Sequence, residues 1–146
     1  MIVLNARVEN LAPVDYDTPG FPSLYWPYGA KTGESNYLYY TDDIMRYTLY
    51  WTLIIYAIFH VSAAGYAVLM QIGKGKSVWK YAWAILGAYM IIAGVQAVMA
   101  GCFVGLILGA VYNAGYLRMS TWIPLLWSVI NVLVLIVSSF SIHGGL

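Results

Sequence analysis

The run Ala93-Gly94-Val95-Gln96-Ala97-Val98-Met99-Ala100-Gly101-Cys102-Phe103-Val104-Gly105-Leu106-Ile107-Leu108-Gly109 decides how this chain folds. Wound as a helix, it sets Ala93, Ala97, Gly101, Gly105 and Gly109 on one face, each four positions from the last. In water each glycine would weaken such a helix by about 1 kcal/mol relative to alanine. In a bilayer the same smooth face lets another helix come close, and that close packing is a main source of helix association. The run predicts a membrane-spanning helix. Three occupants are open for its small-residue face: the chain's own helices, a partner's membrane anchor, or an acyl chain.

The composition around the run agrees. The 146 residues are 62% hydrophobic and 9% charged, against roughly 45–50% and 25% in soluble domains. All six acids (Glu9, Asp15, Asp17, Glu34, Asp42, Asp43) fall within the first 43 residues. That stretch carries a formal charge of −4, and the remainder, with Arg46, Lys74, Lys76, Lys80 and Arg118, carries +5. No basic stripe of the kind nucleic acid requires is present. Cys102 is the single cysteine and has no internal disulfide partner.

Three uncharged stretches are long enough to span. Tyr47 to Met70 gives 24 residues, where a helix needs about 20. Asp42 and Asp43 precede it, placed to cap a helix N-terminus. From Tyr81 to Leu117 no charge appears for 37 residues, and no polar turn divides them. A single helix over 81–112 would be about 48 Å long, so it must tilt, bend near Gly94 or Gly101, or begin in the interface through Trp79, Tyr81 and Trp83. Trp122 to Phe140 is the third span, with Pro124 tolerated in its first turn. The turn Gly73-Lys74-Gly75-Lys76-Ser77 is not a phosphate loop, because Met70 stands where that motif needs its first glycine.

The expected fold is therefore an all-α membrane protein: three transmembrane helices behind an extended, aromatic- and proline-rich N-terminal tail. Residues 1–43 form the tail, 44–140 the membrane domain with spans at about 47–70, 81–112 and 122–140, and 141–146 a short C-terminal tail. Pro19 to Gly29 favours extended and turn conformations. Phe21, Tyr25, Trp26 and Tyr28 are costly to leave in water, so the tail is expected to dock on its own membrane domain or on a partner. A belt at headgroup level is the plainer alternative.

Little in the chain carries chemistry. His60 is the only ionisable residue deep in a span, and an intramembrane ionisable group is a functional suspect by default. Gln96 and Asn131, one in each later span, read with it as interhelical hydrogen-bonding groups. A metal site would need three ligands, and His60, Cys102 and His143 cannot converge. No nucleophile–base constellation can be assembled, so catalysis is not expected, nor any cofactor beyond bound phospholipid.

Trp51, Phe59-His60-Val61 followed by Ala63, and Gly109-Ala110-Val111-Tyr112-Asn113-Ala114-Gly115 together resemble the transmembrane protein 170 family. Asp43 before the first span and Ser139-Phe140 at the end of the third fit the same pattern. Ser62 departs from it, standing where the family carries proline. The resemblance spans roughly Asp43 to Phe140. It implies a three-pass protein of the endoplasmic reticulum and nuclear envelope, N-terminus lumenal and C-terminus cytosolic, an orientation that the tied count of flanking cations leaves open. It also implies a role in membrane organisation, or as an accessory subunit beside a larger membrane-anchored lipid-transfer protein and other small membrane subunits. In that reading the glycine face and His60 would pack the partner's anchor or guide membrane lipid toward it. A homo-oligomeric channel or carrier, and a self-sufficient membrane-shaping scaffold, are the rival classes.

Overall fold

The computed structural model describes residues 12, 15–25, 36–71 and 78–143. In chain order these form a short strand β1 (Tyr37–Leu38), helix α1 (Thr41–Leu69), helix α2 (Val78–Ala114), a second short strand β2 (Met119–Ser120) and helix α3 (Trp122–His143). All three helices have the length and apolarity to cross a membrane.

The helices outrun the spans expected from hydropathy. Thr41, Asp42 and Asp43, assigned above to the tail, form the first turn of α1, and the two carboxylates sit at the positive end of its dipole. Ser141 to His143, assigned to the C-terminal tail, continue α3. Between them α2, 37 residues and about 56 Å long, begins before Lys80 and runs unbroken through the uncharged stretch as far as Ala114. The polar turn Gly73–Ser77 lies outside the described residues.

Helix α2 has two unlike faces, and the sequence period explains both. Ala93, Ala97, Gly101, Gly105 and Gly109 are buried. Two positions on, Ile91, Val95, Met99, Phe103, Ile107 and Val111 form a parallel row of exposed bulky side chains. The small row is pressed against α1. A Cβ at Gly101 would lie 3.0 Å from Leu49 Cα, and one at Gly105 would lie 2.9 Å from Met45 Cα. At Gly109 it would meet Thr41 Cγ2 at 2.5 Å. Each step of four along α2 thus matches a step of four back along α1.

Helix α1 is the hub. It packs extensively on α2 and less on α3, while α2 and α3 barely touch. Its seam with α3 is polar: Thr52 and Ser128 share a hydrogen bond of 3.1 Å, and both are fully buried. Thr48 donates to the Ile44 carbonyl one turn back; of Thr52 and Ser128, one hydroxyl donates across the seam and the other to the carbonyl one turn back in its own helix, so each of the three is paired. Two apolar clusters flank this seam. One gathers Leu38, Ile44, Tyr47, Leu108 and Met119 at the tail end; the other gathers Tyr56, Ala97 and Val132 further along.

Strand β1 pairs antiparallel with β2, Tyr37 opposite Ser120 and Leu38 opposite Met119. The chain reaches β2 through a Schellman turn at the end of α2, with Leu117 N–H on the Tyr112 carbonyl and Tyr116 N–H on the Asn113 carbonyl. Tyr116 takes the left-handed conformation (φ 52°) at the position where glycine is usual, at a cost of about 1–2 kcal/mol.

The contacts at Gly105 are with backbone, which cannot swing aside. Gly105→Leu is expected to cost about 1–3 kcal/mol or more by overpacking. Gly94→Leu, on the same helix with nothing within 4 Å of its Cβ position, should stay within about 0.5 kcal/mol. Thermal unfolding of the two variants in one detergent compares them; equal melting would refute the register described above.

Candidate functional site

Two regions gather the residues that sequence reasoning singled out. The first is a cap that the tail builds over one end of the bundle. Phe21 wedges its ring among Tyr47, Tyr50 and Trp51 of α1, with centroids 5.1–5.5 Å apart. Its peptide bond to Pro22 is cis. The Tyr47 hydroxyl donates to the Pro19 carbonyl. Tyr25 reaches α3: the Trp122 indole N–H donates to its carbonyl at 2.9 Å, and its hydroxyl lies 3.2 Å from Ser120 Oγ. Thr121 donates to the Ser23 carbonyl at 2.9 Å.

Phe21 and Tyr25 therefore dock on the chain's own helices and do not stand free for a partner. Trp26 and Tyr28 lie outside the described residues. Upstream, the Tyr16 hydroxyl donates to the Tyr37 carbonyl at 2.8 Å, and Thr18 donates to Asp43 at 2.9 Å. Arg118 stacks its guanidinium over Tyr37, 4.4 Å from the ring centroid. Burial, reinforced by the nearby Asp43 carboxylate, pushes the Tyr16 phenol up to about 12.

The second region is inside the bundle. Because α2 and α3 scarcely meet, they leave a cleft of about 700 Å³ beside α1. Phe59, His60 and Ala63 of α1 line it, with Tyr89 and Gln96 of α2 and Leu135, Ile136, Ser138, Ser139 and Phe140 of α3. Its inner end abuts the Tyr56–Ala97–Val132 cluster, and these residues sit close to the middle of the three candidate spans. The cleft therefore runs from mid-membrane toward the end where α1 finishes and α2 begins.

The structure decides one open choice here and corrects two expectations. The small-residue face Ala93–Gly109 is filled by α1, so neither a partner's anchor nor an acyl chain can lie along it. His60 does not bridge helices: its Nδ1 lies 2.9 Å from the Tyr56 carbonyl one turn back, and its ring stacks on Tyr56. Gln96 and Asn131 are not interhelical glue either, since Gln96 Oε1 and Asn131 Nδ2 are buried without a protein partner. Thr48, Thr52, Ser128 and Tyr56, whose hydroxyl donates to the Asn131 carbonyl at 3.4 Å, take that part instead.

Thr48 and Thr52 stand four apart in the sequence, a spacing that could have flagged them. Trp51 Nε1 is a further buried donor without a partner. Among the described residues no three of His, Cys, Asp and Glu come together as a metal site would require.

Three apolar helices, α2 joined to α1 through a glycine seam and α3 through a hydroxyl seam, capped by an aromatic tail, define a three-span helical membrane protein. The profile described as Transmembrane protein 170A/B-like matches residues 37–146, and the chain belongs to that family. The match starts at β1, the strand that ties the tail to the α2–α3 turn. The chain is also similar to the uncharacterized protein YPR153W of Saccharomyces cerevisiae, 42% identical over 137 residues that cover 94% of each chain. No solved structure matches.

Two measurements probe the cap. Phe21→Ala removes three aromatic contacts worth about 0.5–1.5 kcal/mol each, and should expose the tail to limited proteolysis while the helices survive. Tyr16 bonds as a neutral phenol and its docked pKa lies above the free value of 10.0. Its contribution is thus full below the free value and lost as pH rises through about 12. A difference titration of tyrosinate absorbance against Tyr16→Phe should show one late-titrating phenol; a phenol titrating at the free value would contradict the docked position.

Proposed function

We propose that this chain is a non-catalytic integral membrane subunit of a lipid-transfer or membrane-organising complex in the endoplasmic reticulum, with its tail in the lumen and its C-terminus in the cytosol. The observation that carries this reading is the cleft between α2 and α3: a space in the size range of small-molecule pockets, opening inside the membrane beside a firmly packed hub. The endoplasmic-reticulum location and the orientation come from the resemblance to the transmembrane protein 170 family.

The absence of acidic residues after Asp43 supports a binding role over proton- or ion-coupled transport, which leans on buried carboxylates. With the glycine seam occupied, the bulky row Ile91–Val111, the cleft and the exposed apolar faces of α1 and α3 are the surfaces open to a larger partner. A partner helix on the bulky row would pack side chain against side chain, with no close backbone approach.

Purification of the tagged chain in mild detergent tests the reading. A large hetero-complex containing a membrane-anchored lipid-transfer protein in fixed ratio is the expected result. Gly105→Leu should then lower the yield of folded subunit without selectively releasing the partner. A particle made only of copies of this chain would sink the proposal.

A further inference from the structure

We propose that the cleft between α2 and α3 binds a sterol, whose hydroxyl is held by Gln96 and His60. Depth is the first constraint on what can enter. The cleft's inner end lies at the Tyr56–Ala97–Val132 cluster, near the centre of all three spans, and Tyr89 stands seven positions away along α2, about 10 Å toward the membrane surface. The space is thus about one leaflet deep, which suits a lipid entering from the side. A transmembrane helix would need a groove running the full thickness of the bilayer.

The chemistry of the walls narrows the class. Among the described residues no Asp, Glu, Lys or Arg lines the cleft. A phosphate or ammonium headgroup drawn to this depth would meet no counter-charge, at a steep desolvation cost. Polar groups nevertheless wait there. Gln96 lines the cleft, and Oε1 of its amide is buried without a protein partner.

His60 directs Nδ1 at the Tyr56 carbonyl, so in the uncharged ring Nε2 is the acceptor. A single hydroxyl can accept from the amide and donate to the imidazole at once. Hydrocarbon then has Phe59, Ala63, Tyr89 and Phe140 to lie against. Of the neutral hydroxyl lipids, a sterol brings one rigid, flat ring system to these aromatic walls. A diacylglycerol must fit two flexible chains into the same space and lose their conformational freedom. The inference stands on the cleft alone and does not require a partner protein.

The test uses the purified full chain in phosphatidylcholine vesicles carrying a trace of one photoactivatable lipid: a sterol, a diacylglycerol or a phosphatidylcholine. After irradiation, adducts are mapped by mass spectrometry. Sterol adducts should concentrate on residues 59–63, 89–96 and 135–140, and excess unlabelled sterol should remove them. Gln96→Leu should lower sterol labelling by about tenfold, the equivalent of losing one well-made buried hydrogen bond. Ala63→Phe should lower it by filling the space, and Val95→Phe on the outer face should leave it unchanged. Melting temperature in the same detergent confirms that each variant is folded.

Sterol adducts spread along the outer row Ile91–Val111, like those of phosphatidylcholine, would overturn the proposal. So would diacylglycerol labelling the cleft in place of sterol, or folded Gln96→Leu and Ala63→Phe proteins that label as before. Cleft labelling of the isolated chain alongside a particle that lacks a partner would overturn the subunit reading alone. A hetero-complex whose subunit shows no cleft labelling would overturn the sterol alone.

Discussion

The backbone-to-backbone approach of α1 and α2 sets everything else in this molecule. At Gly101 and Gly105 the space where a Cβ would stand is about 3 Å from the α1 main chain. Lipid supplies no hydrophobic drive to bring two helices together, so this proximity must come from dispersion and from the absence of side chains. Glycine, which would be a liability in a helix in water, is what permits it. Because the period is four on both helices, the contact persists over Thr41, Met45 and Leu49 and holds α1 parallel to the seam.

A hub made in this way leaves the other two helices apart. Helix α3 attaches to α1 through a polar seam, Thr48 and Thr52 against Ser128, where each hydroxyl has a carbonyl of its own helix within reach as an alternative to the cross-seam bond. Such back-bonded hydroxyls resist becoming unpaired, so the seam tolerates small adjustments without stranding a donor. At the tail end the bundle is closed by Phe21, the β1–β2 pair and the bonds to Trp122. At the other end α2 and α3 have only α1 in common. The cleft is the geometric consequence of two helices sharing a neighbour without sharing a contact.

How much of this was legible in the sequence follows from which interactions are local. Three spans, the single crossing of the long middle run and the stripe Ala93–Gly109 are properties of consecutive residues, and they read directly. The occupant of the stripe does not, because a smooth face looks the same whatever is pressed on it. Met45 and Leu49 carry no mark of the glycines, Gly105 and Gly101, that they meet far along the chain. The tail was legible in kind and not in address: Phe21 and Tyr25 announced that they must be buried, but Ser120 and Trp122 lie almost a hundred residues away. His60, Gln96 and Asn131 were found as intramembrane polar residues. Their bridging roles were not legible: His60 bonds back to the Tyr56 carbonyl in its own helix, and Gln96 Oε1 and Asn131 Nδ2 meet no partner across the bundle.

That outcome is informative about the molecule itself. Membrane helices hold few polar atoms, and those that serve packing are spent on neighbours, as Thr52 and Ser128 are. Gln96 lies in a cleft wall with a buried amide atom that nothing in the protein satisfies. An unpaired amide at that depth costs free energy that leucine would not. Packing alone gives no reason for glutamine there, since the contact with Tyr56 is made by its neighbour Ala97. The open half thus holds a buried amide oxygen in a cleft wall, while in the capped half the hydroxyls of Tyr16, Thr18, Tyr47 and Thr121 and the Trp122 indole are bonded within the protein. Side-chain carboxylates end at Asp43 in the first turn of α1, so the polar atoms along the cleft belong to neutral groups, His60, Gln96, Ser138 and Ser139 among them.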